Sequence, residues 1–171
     1  MVGFFGRFSR SRCAYFTMRA LILCAGLGTR LGLKKTPKCM VKVAGKPVLE
    51  HLVNHLNKHG ITEIIVNVHK YYDKIFKYFG TRLLYLYEPM LLGESGTEKL
   101  LQNWLGDEYI VMNGDTLTNI NLYKFMFEGN VYFWNKEKDH YAGTKAIDKN
   151  SKKVTYWDGD GAYYFDIGTP S

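Results

Sequence analysis

The sequence contains few cysteines and no long apolar segment. Cys13, Cys24 and Cys39 are an odd number of thiols, and their spacing matches neither a secreted disulfide framework nor a metal-binding pattern. We therefore expect a cytoplasmic protein. The longest relevant apolar run covers residues 20–25, whereas a membrane span needs roughly 20 residues. The sequence thus predicts no transmembrane helix and no membrane partner.

Positive charge is in excess, but the excess does not favour a nucleic-acid partner. Arg7, Arg10 and Arg12 supply three of the seven net positive charges, so residues 18–171 carry only +4. A surplus of this size suits an anionic small substrate as well as a polyanion. The hypothesis of an RNA-binding module is supported only by the charge and the aromatic residues. It is the least favoured of three hypotheses for function.

Residues 1–17 differ in composition from the rest of the chain. They are rich in arginine and serine, contain no acidic residue, and lack the apolar core of a secretory signal. Two interpretations are open: a mitochondrial-type presequence, or a start codon assigned upstream of the true first residue, Met18. We favour the second and expect a single domain at 18–171.

The apolar pattern from residue 19 onward predicts an α/β fold. Strands are predicted at 20–24, 63–68, 83–87 and 109–112, and helices at 47–60, 71–79 and 98–105. Alternating strands and helices indicate β-α-β units on a mostly parallel sheet in three layers. After Gly129, short strands at 131–134, 142–147, 154–157 and 162–165 predict a small mixed β extension at the C-terminus.

The clearest local motif is a glycine-rich loop directly after the first strand, at residues 25–31 (AGLGTRL). Ligands of open α/β sheets bind beyond the carboxyl ends of the strands, and glycines let backbone N–H groups approach phosphate oxygens. Arg30 and Lys38 add positive charge that a purely structural turn would not require. The loop is neither a dinucleotide fingerprint, because Leu31 replaces its third glycine, nor a Walker A motif, because Pro47 follows Gly45-Lys46.

Two aspartates are candidate metal ligands. Asp115 follows Asn113-Gly114 at the end of the fourth strand, so it faces the same crevice as the loop. Mg²⁺ prefers one or two carboxylates together with substrate phosphates, although an aspartate here could instead cap a helix. Asp166 lies in a turn at residues 165–170. Its role depends on whether this turn folds back to the crevice. His51, His55 and His59 have helical spacing, but without a following glutamate a metal site there is not favoured.

Together these segments resemble the sugar-1-phosphate nucleotidyltransferases, and most closely those that transfer guanylyl groups to mannose or heptose 1-phosphate. The resemblance is carried by residues 26–31, 37–38, 45–47, 88–89, 92–96, 113–115 and 166–170. It implies a Rossmann-like fold of the nucleotide-diphospho-sugar transferase type. Residues 18–128 would be its nucleotide-binding part and residues 129–171 a shortened sugar-binding part.

The resemblance also implies roles for individual residues. Catalytic roles fall to Arg30 and Lys38, and Asp115 and Asp166 would hold Mg²⁺. The nucleotide-binding residues would be Ala25, Gly26, Leu27, Gly28, Thr29, Glu88, Gly93 and Gly114. In this family a sugar 1-phosphate attacks the α-phosphorus of a nucleoside triphosphate and pyrophosphate leaves, giving a nucleotide-activated sugar. The attacking phosphate is already an anion, which fits a sequence in which no catalytic triad is legible.

The sequence departs from the family in its last third. A Glu-Lys pair, whose lysine holds the sugar phosphate, has no clear equivalent at residues 154–160, and Lys136, Lys138 and Lys145 are the candidate substitutes. The second hypothesis is therefore a catalytically weak or inactive protein that binds a nucleotide or sugar phosphate and acts in regulation. The base, the sugar or other phosphorylated acceptor, and homo-oligomerisation all stay open.

Overall fold

The structure is a computed structural model that describes residues 18–26, 36–125, 129–135, 139–159 and 161–167. Its strands are β1 (Arg19–Leu23), β2 (Lys42–Val43), β3 (Lys46–Pro47), β4 (Glu63–Val68), β5 (Leu84–Tyr87), β6 (Glu108–Asn113), β7 (Thr116–Thr118), β8 (Asn130–Asn135), β9 (His140–Asp148), β10 (Val154–Trp157) and β11 (Tyr164–Asp166). Its helices are α1 (Val48–Lys58), α2 (Tyr72–Phe79), α3 (Gly93–Leu105) and α4 (Leu122–Phe125).

The main sheet has seven strands in the order β10-β8-β9-β6-β1-β4-β5. At its centre, β1 pairs in parallel with both β4 and β6, and β5 continues the parallel part beyond β4. Ala20, Leu21 and Ile22 are fully buried because helices cover both faces of this strand. The predicted mostly parallel α/β sheet is therefore confirmed.

Alternation along the central strands creates two apolar layers. On one face, Ala20 and Ile22 belong to a core with buried residues of α1 and α2, including Leu52 and Phe79. On the opposite face, Leu21 packs in a second core with residues of α3 and β6. Successive side chains of a strand point to opposite faces, so one apolar run supports both helix layers. None of the helices in the described part of the chain is long and apolar enough to cross a membrane.

The C-terminal strands both extend the main sheet and form a small separate pair. Strand β9 runs antiparallel to β6 and β8, and β10 lies parallel to β8 at the sheet edge. Val131, Phe133 and Ala142 belong to the same core as Ile22. Strands β7 and β11 form a two-stranded antiparallel sheet, which confirms the predicted small extension. Its last strand begins at Tyr164, two residues later than the pattern predicted.

Gly143 in β9 lies where a side chain would meet the end of β6. Its φ is +72°, and a Cβ there would lie 2.5 Å from Asn113 Nδ2. Gly60, after α1, has a φ of +76° but no atom within 4 Å of the equivalent Cβ position. The two glycines therefore share a left-handed backbone and differ in the space around it.

We expect Gly60→Ala to lower the free energy of unfolding by about 1–2 kcal/mol, the cost of a left-handed alanine. Gly143→Ala should cost about 1–3 kcal/mol more, because Asn113 must also move. Urea denaturation of both purified variants measures the difference. Equal losses for the two would contradict the tight packing of β9 against Asn113.

Candidate active site

The carboxyl ends of the parallel strands β1, β4 and β6 meet at one edge of the sheet, and we call the space beyond this edge the crevice. Cys24, Ala25 and Gly26 continue from β1 there, and Gly114 follows β6. The Gly114 N–H donates to Leu23 O at 2.9 Å. A Cβ on Gly114 would lie only 2.7 Å from that oxygen and from Cys24 Sγ. Only glycine lets these two segments approach so closely, because a side chain at position 114 would clash with Leu23 O and Cys24 Sγ.

Asn67, near the end of β4, holds the beginning of the glycine-rich loop. Its side chain is buried, and its Oδ1 accepts hydrogen bonds from the Cys24 N–H at 2.6 Å and the Ala25 N–H at 3.2 Å. Its Nδ2 donates to Glu88 Oε1 at 3.0 Å. Sequence reasoning missed Asn67, although a polar residue inside the apolar run EIIVNV was a signal for it.

Glu88 is directed into the protein. It is 1% exposed. Besides the bond from Asn67, its carboxylate accepts the Thr97 hydroxyl at 2.5 Å and the Leu92 N–H at 3.1 Å. Glu88 therefore connects β4 to the first turn of α3, where Gly93 begins the helix. These contacts make it a positioning residue, and its contact with a nucleotide stays a prediction.

Lys38 and Asp115 meet in the crevice, although 77 positions separate them in sequence. Lys38 Nζ lies 3.1 Å from Asp115 Oδ2, and the two side chains are 16% and 24% exposed. Lys38 is held in a short 3-10 turn, Lys38–Met40, that follows Pro37. A part-buried pair of this kind keeps its charges in a fixed place while leaving both groups accessible from the crevice.

Asp166 folds back to the same place. Strand β11 pairs with β7 so that Asp166 lies opposite Thr116, and the Ile167 N–H donates to Asp115 O at 3.0 Å. Burial raises the pKa of the Tyr164 phenol, and the charges of Asp166 and Asp115 raise it further. Both carboxylates therefore act on the same phenol.

The two aspartates fit a magnesium site that shares its ligands with a substrate. Carboxylate oxygens are the donors that Mg²⁺ prefers, and it commonly takes only one or two of them, with phosphates and waters completing the shell. Within the described ranges, no group of three or more His, Cys, Asp or Glu side chains could hold a metal. Asp115 and Asp166 therefore supply the type of donor that Mg²⁺ takes, and its binding to this chain stays a prediction.

The Cys24 thiol near the crevice remains protonated. Cys24 and Cys39 are both buried and free. A hydrogen bond with Cys39, burial, and the charges of Cys39 and Asp115 raise the pKa of the Cys24 thiol well above its ordinary value. A thiolate is the reactive form of cysteine, so Cys24 does not act as a nucleophile here.

Lys145 does not offer a free charge to a sugar phosphate. Its Nζ lies 2.6 Å from Glu94 Oε1 and 2.7 Å from Glu98 Oε1, and its side chain is 11% exposed. Burial lowers the pKa of Lys145, but the hydrogen bonds and charges of the two glutamates outweigh burial and raise it. Lys145 therefore joins β9 to α3 as part of a cluster that is negative overall. Lys136 and Lys138 lie outside the described residues.

The structure describes some of the remaining predicted residues and not others. Leu27, Gly28, Thr29 and Arg30, like residues 1–17, lie outside the described ranges. Two histidines of the stripe contact backbone oxygens: His51 Nε2 lies 2.8 Å from Val43 O, and His59 Nδ1 lies 2.8 Å from His55 O.

Residues 20–119 match the model of the MobA-like NTP transferase domain family. The chain is 34% identical over 149 residues to a D-glycero-α-D-manno-heptose 1-phosphate guanylyltransferase of Campylobacter jejuni, covering 81% of this chain and 67% of that protein. It is 33% identical over 125 residues to a UTP–glucose-1-phosphate uridylyltransferase of Synechocystis, covering 61% of this chain and 32% of that protein.

Solved structures share the fold at lower sequence identity. The crystal structure of HddC from Yersinia pseudotuberculosis superposes with a TM-score of 0.69 at 22% identity and covers 90% of this chain and 95% of that one. The inositol-1-phosphate CTP transferase of T. maritima has a TM-score of 0.69 at 15% identity and covers 90% of each chain. These similarities agree with the Rossmann-like sheet described above.

The buried Asn67–Glu88 hydrogen bond can be tested by replacing its donor, the amide of Asn67, with a carboxylate. In Asn67→Asp the loop N–H groups keep their acceptor, but two carboxylates now face each other. We expect the free energy of unfolding to fall by about 3 kcal/mol at neutral pH. Repulsion raises the pKa of the folded pair above its unfolded value, so the loss should shrink as the pH falls through that raised pKa.

The matched control is the double variant Asn67→Asp/Glu88→Gln, which restores one donor and one acceptor between these positions. It should recover most of the lost stability in urea denaturation at neutral pH. A double variant as unstable as the single one would contradict a direct Asn67–Glu88 interaction.

Proposed function

The chain belongs to the MobA-like NTP transferase family, and on this basis we propose that it transfers a nucleotidyl group from a nucleoside triphosphate to a sugar 1-phosphate and releases pyrophosphate. The observation that carries the proposal is the meeting of Lys38, Asp115 and Asp166 at the carboxyl edge of the sheet. These residues come from three distant segments, and structural stability does not require them to lie together at an accessible edge.

The main obstacle to this reaction is repulsion between two polyanions. Lys38 supplies a positive charge at the crevice, and Arg30 would add a second from the loop. Asn67 fixes the Cys24 and Ala25 N–H groups, so the loop leaves β1 in a defined direction. Preorganised positive charges stabilise the charge that develops in phosphoryl transfer without reorganising during the reaction.

We propose that Asp115 and Asp166 hold Mg²⁺ together with the substrate phosphates. When bound, the ion would neutralise phosphate charge and help to align the reacting groups. Lys38 partly balances the charge of Asp115. The pair of Lys38 and Asp115 thus brings together a phosphate-binding charge and a metal ligand.

No general base is needed for the proposed step. The nucleophile is a phosphate oxygen that already carries negative charge at neutral pH, and the Cys24 thiol beside the crevice is protonated. This chain therefore contributes binding, alignment and charge neutralisation, and catalysis of phosphoryl transfer depends mainly on these effects.

For the substrates, we propose GTP with heptose or mannose 1-phosphate. Support comes from the guanylyltransferase of Campylobacter jejuni and from a second heptose 1-phosphate guanylyltransferase, of Aneurinibacillus thermoaerophilus, 35% identical over 124 residues. The uridylyltransferase relative makes UTP with glucose 1-phosphate the main competing pair. The chain spans 67% and 54% of the lengths of the two guanylyltransferases.

A regulatory binding protein is the second candidate, and Lys145 favours it. In this chain the lysine that could replace the family's sugar-phosphate ligand is neutralised by Glu94 and Glu98. A protein with this arrangement could retain nucleoside triphosphate binding and lose transfer. Turnover separates the two candidates, since both predict nucleotide binding.

The test is pyrophosphate release with Mg²⁺ for each nucleoside triphosphate, combined in turn with mannose, glucose and heptose 1-phosphate. We expect turnover with GTP and one of the mannose-type acceptors. Lys38→Ala and Asp115→Ala should each lower kcat by about 10²–10³-fold, because the first removes a positive charge at the phosphates and the second removes a ligand of the proposed Mg²⁺.

Lys99→Ala, an exposed lysine of α3, is the matched control and should retain full activity. Near-normal turnover in Lys38→Ala or Asp115→Ala would contradict the proposed site. No turnover with any pair, while calorimetry still detects binding of the triphosphate, would favour the regulatory candidate.

A further inference from the structure

A second cavity lies along the outer side of α1. Its volume is about 970 Å³, and its walls come from the β2–β3 hairpin, from α1, and from β7 with the residues that follow it. Lys38, Glu88 and Asp115 do not line it. The cavity is therefore separate from the crevice in which the proposed reaction takes place.

One polar stripe of α1 forms the floor of the cavity. His51, Asn54, His55 and Lys58 all line it, at positions i, i+3, i+4 and i+7 of the helix. Residues with this spacing share one face of a helix. The apolar residues of α1 pack into the core on the other side. The histidine spacing noted in the sequence thus belongs to a surface that faces this cavity.

The lining of the cavity is basic. Lys46 and Lys58 contribute two ammonium groups, His51 and His55 two imidazoles, and none of the thirteen lining residues in the described part of the chain is acidic. Among the residues that the structure describes, neither Lys46 nor Lys58 forms an ion pair with a carboxylate. A concave surface with cations and no acid focuses a positive potential and attracts anions.

The imidazoles are held in place and can respond to a bound anion. The hydrogen bond between His51 Nε2 and Val43 O fixes the His51 ring against the hairpin. Burial, together with the charges of His59 and Lys58, lowers the pKa of His55 to about 4, although a backbone contact with Ile120 acts in the opposite direction. His55 is therefore neutral at neutral pH, and an anion beside it would stabilise its protonated form.

We propose that this cavity binds a phosphorylated small molecule, with Lys46 and Lys58 at the phosphate and the amides of Asn54 and Asn119 at the polar organic part. Its volume lies at the upper end of the range for small-molecule sites, roughly 300–1,000 Å³, so it accommodates a molecule of nucleotide size. The site does not depend on the proposed transferase activity. Its wall at β7 begins directly after Asp115, which provides a physical connection between the two sites.

Histidine NMR of the full chain tests this site without an activity measurement. The Cε1–H signals of His51 and His55 are followed while the protein is titrated with GMP, with inorganic phosphate, or with sodium chloride at matched ionic strength. We expect saturable shifts with GMP and a rise of about one pH unit or more in the pKa of His55. Sodium chloride should reproduce neither effect.

Variants separate this cavity from the crevice. The double variant Lys46→Ala/Lys58→Ala should weaken the binding of GMP, read at these signals, by at least about tenfold, because it removes both ammonium groups. Lys77→Ala, an exposed lysine of α2, should leave it unchanged, and so should Lys38→Ala, which alters only the crevice. Retained far-UV dichroism and thermal unfolding confirm that each variant is folded.

Three results would overturn the proposal. The first is equal shifts with sodium chloride and GMP, which would indicate screening alone. The second is an undiminished response in the double lysine variant. The third is saturation by inorganic phosphate without any response to GMP, which would show that the cavity does not accept an organic phosphate.

Discussion

The geometry of the crevice depends on the buried hydrogen bonds of Asn67. One side chain receives two N–H groups from the segment that follows β1 and donates to Glu88, which in turn binds the start of α3. A buried polar group is tolerated only when its hydrogen bonds are satisfied. Because Asn67 and Glu88 both find their partners inside the protein, the ends of β1 and β4 and the first turn of α3 are held at fixed positions.

That rigid frame keeps charged residues close together at an accessible edge of the sheet. Lys38 and Asp115 come from the segment after the glycine-rich loop and from the end of β6, and Asp166 returns on β11. Lys38 and Asp115 stay partly accessible, which is the condition under which their charges can act on a phosphate. In contrast, Lys145 of β9 is enclosed by Glu94 and Glu98 of α3, where its charge stabilises packing.

Most elements of the fold were predictable because each depends on local periodicity. The strands at 63–68 and 154–157 agree with the structure residue for residue, since apolar runs and flanking turns define them. The start of α3 was placed five residues late, at 98 instead of Gly93. Its first turn is polar and lacks an apolar stripe. It is held by the buried Glu88, just before the helix, and by Lys145, which is distant in sequence.

The sequence by itself was sufficient for most strands and helices of the main sheet and for their order along the chain. These follow from short-range patterns of apolar residues. The edge of the sheet at which a ligand binds stays a prediction, based on the rule that ligands bind beyond the carboxyl ends of parallel strands. Only the tertiary structure decided that Asp166 returns beside Asp115, that Glu88 turns inward, and that Lys145 is neutralised. These outcomes depend on which distant side chains are neighbours after folding. Burial and pairing then decide whether a charge is free to act, and residue type alone carries no information about either.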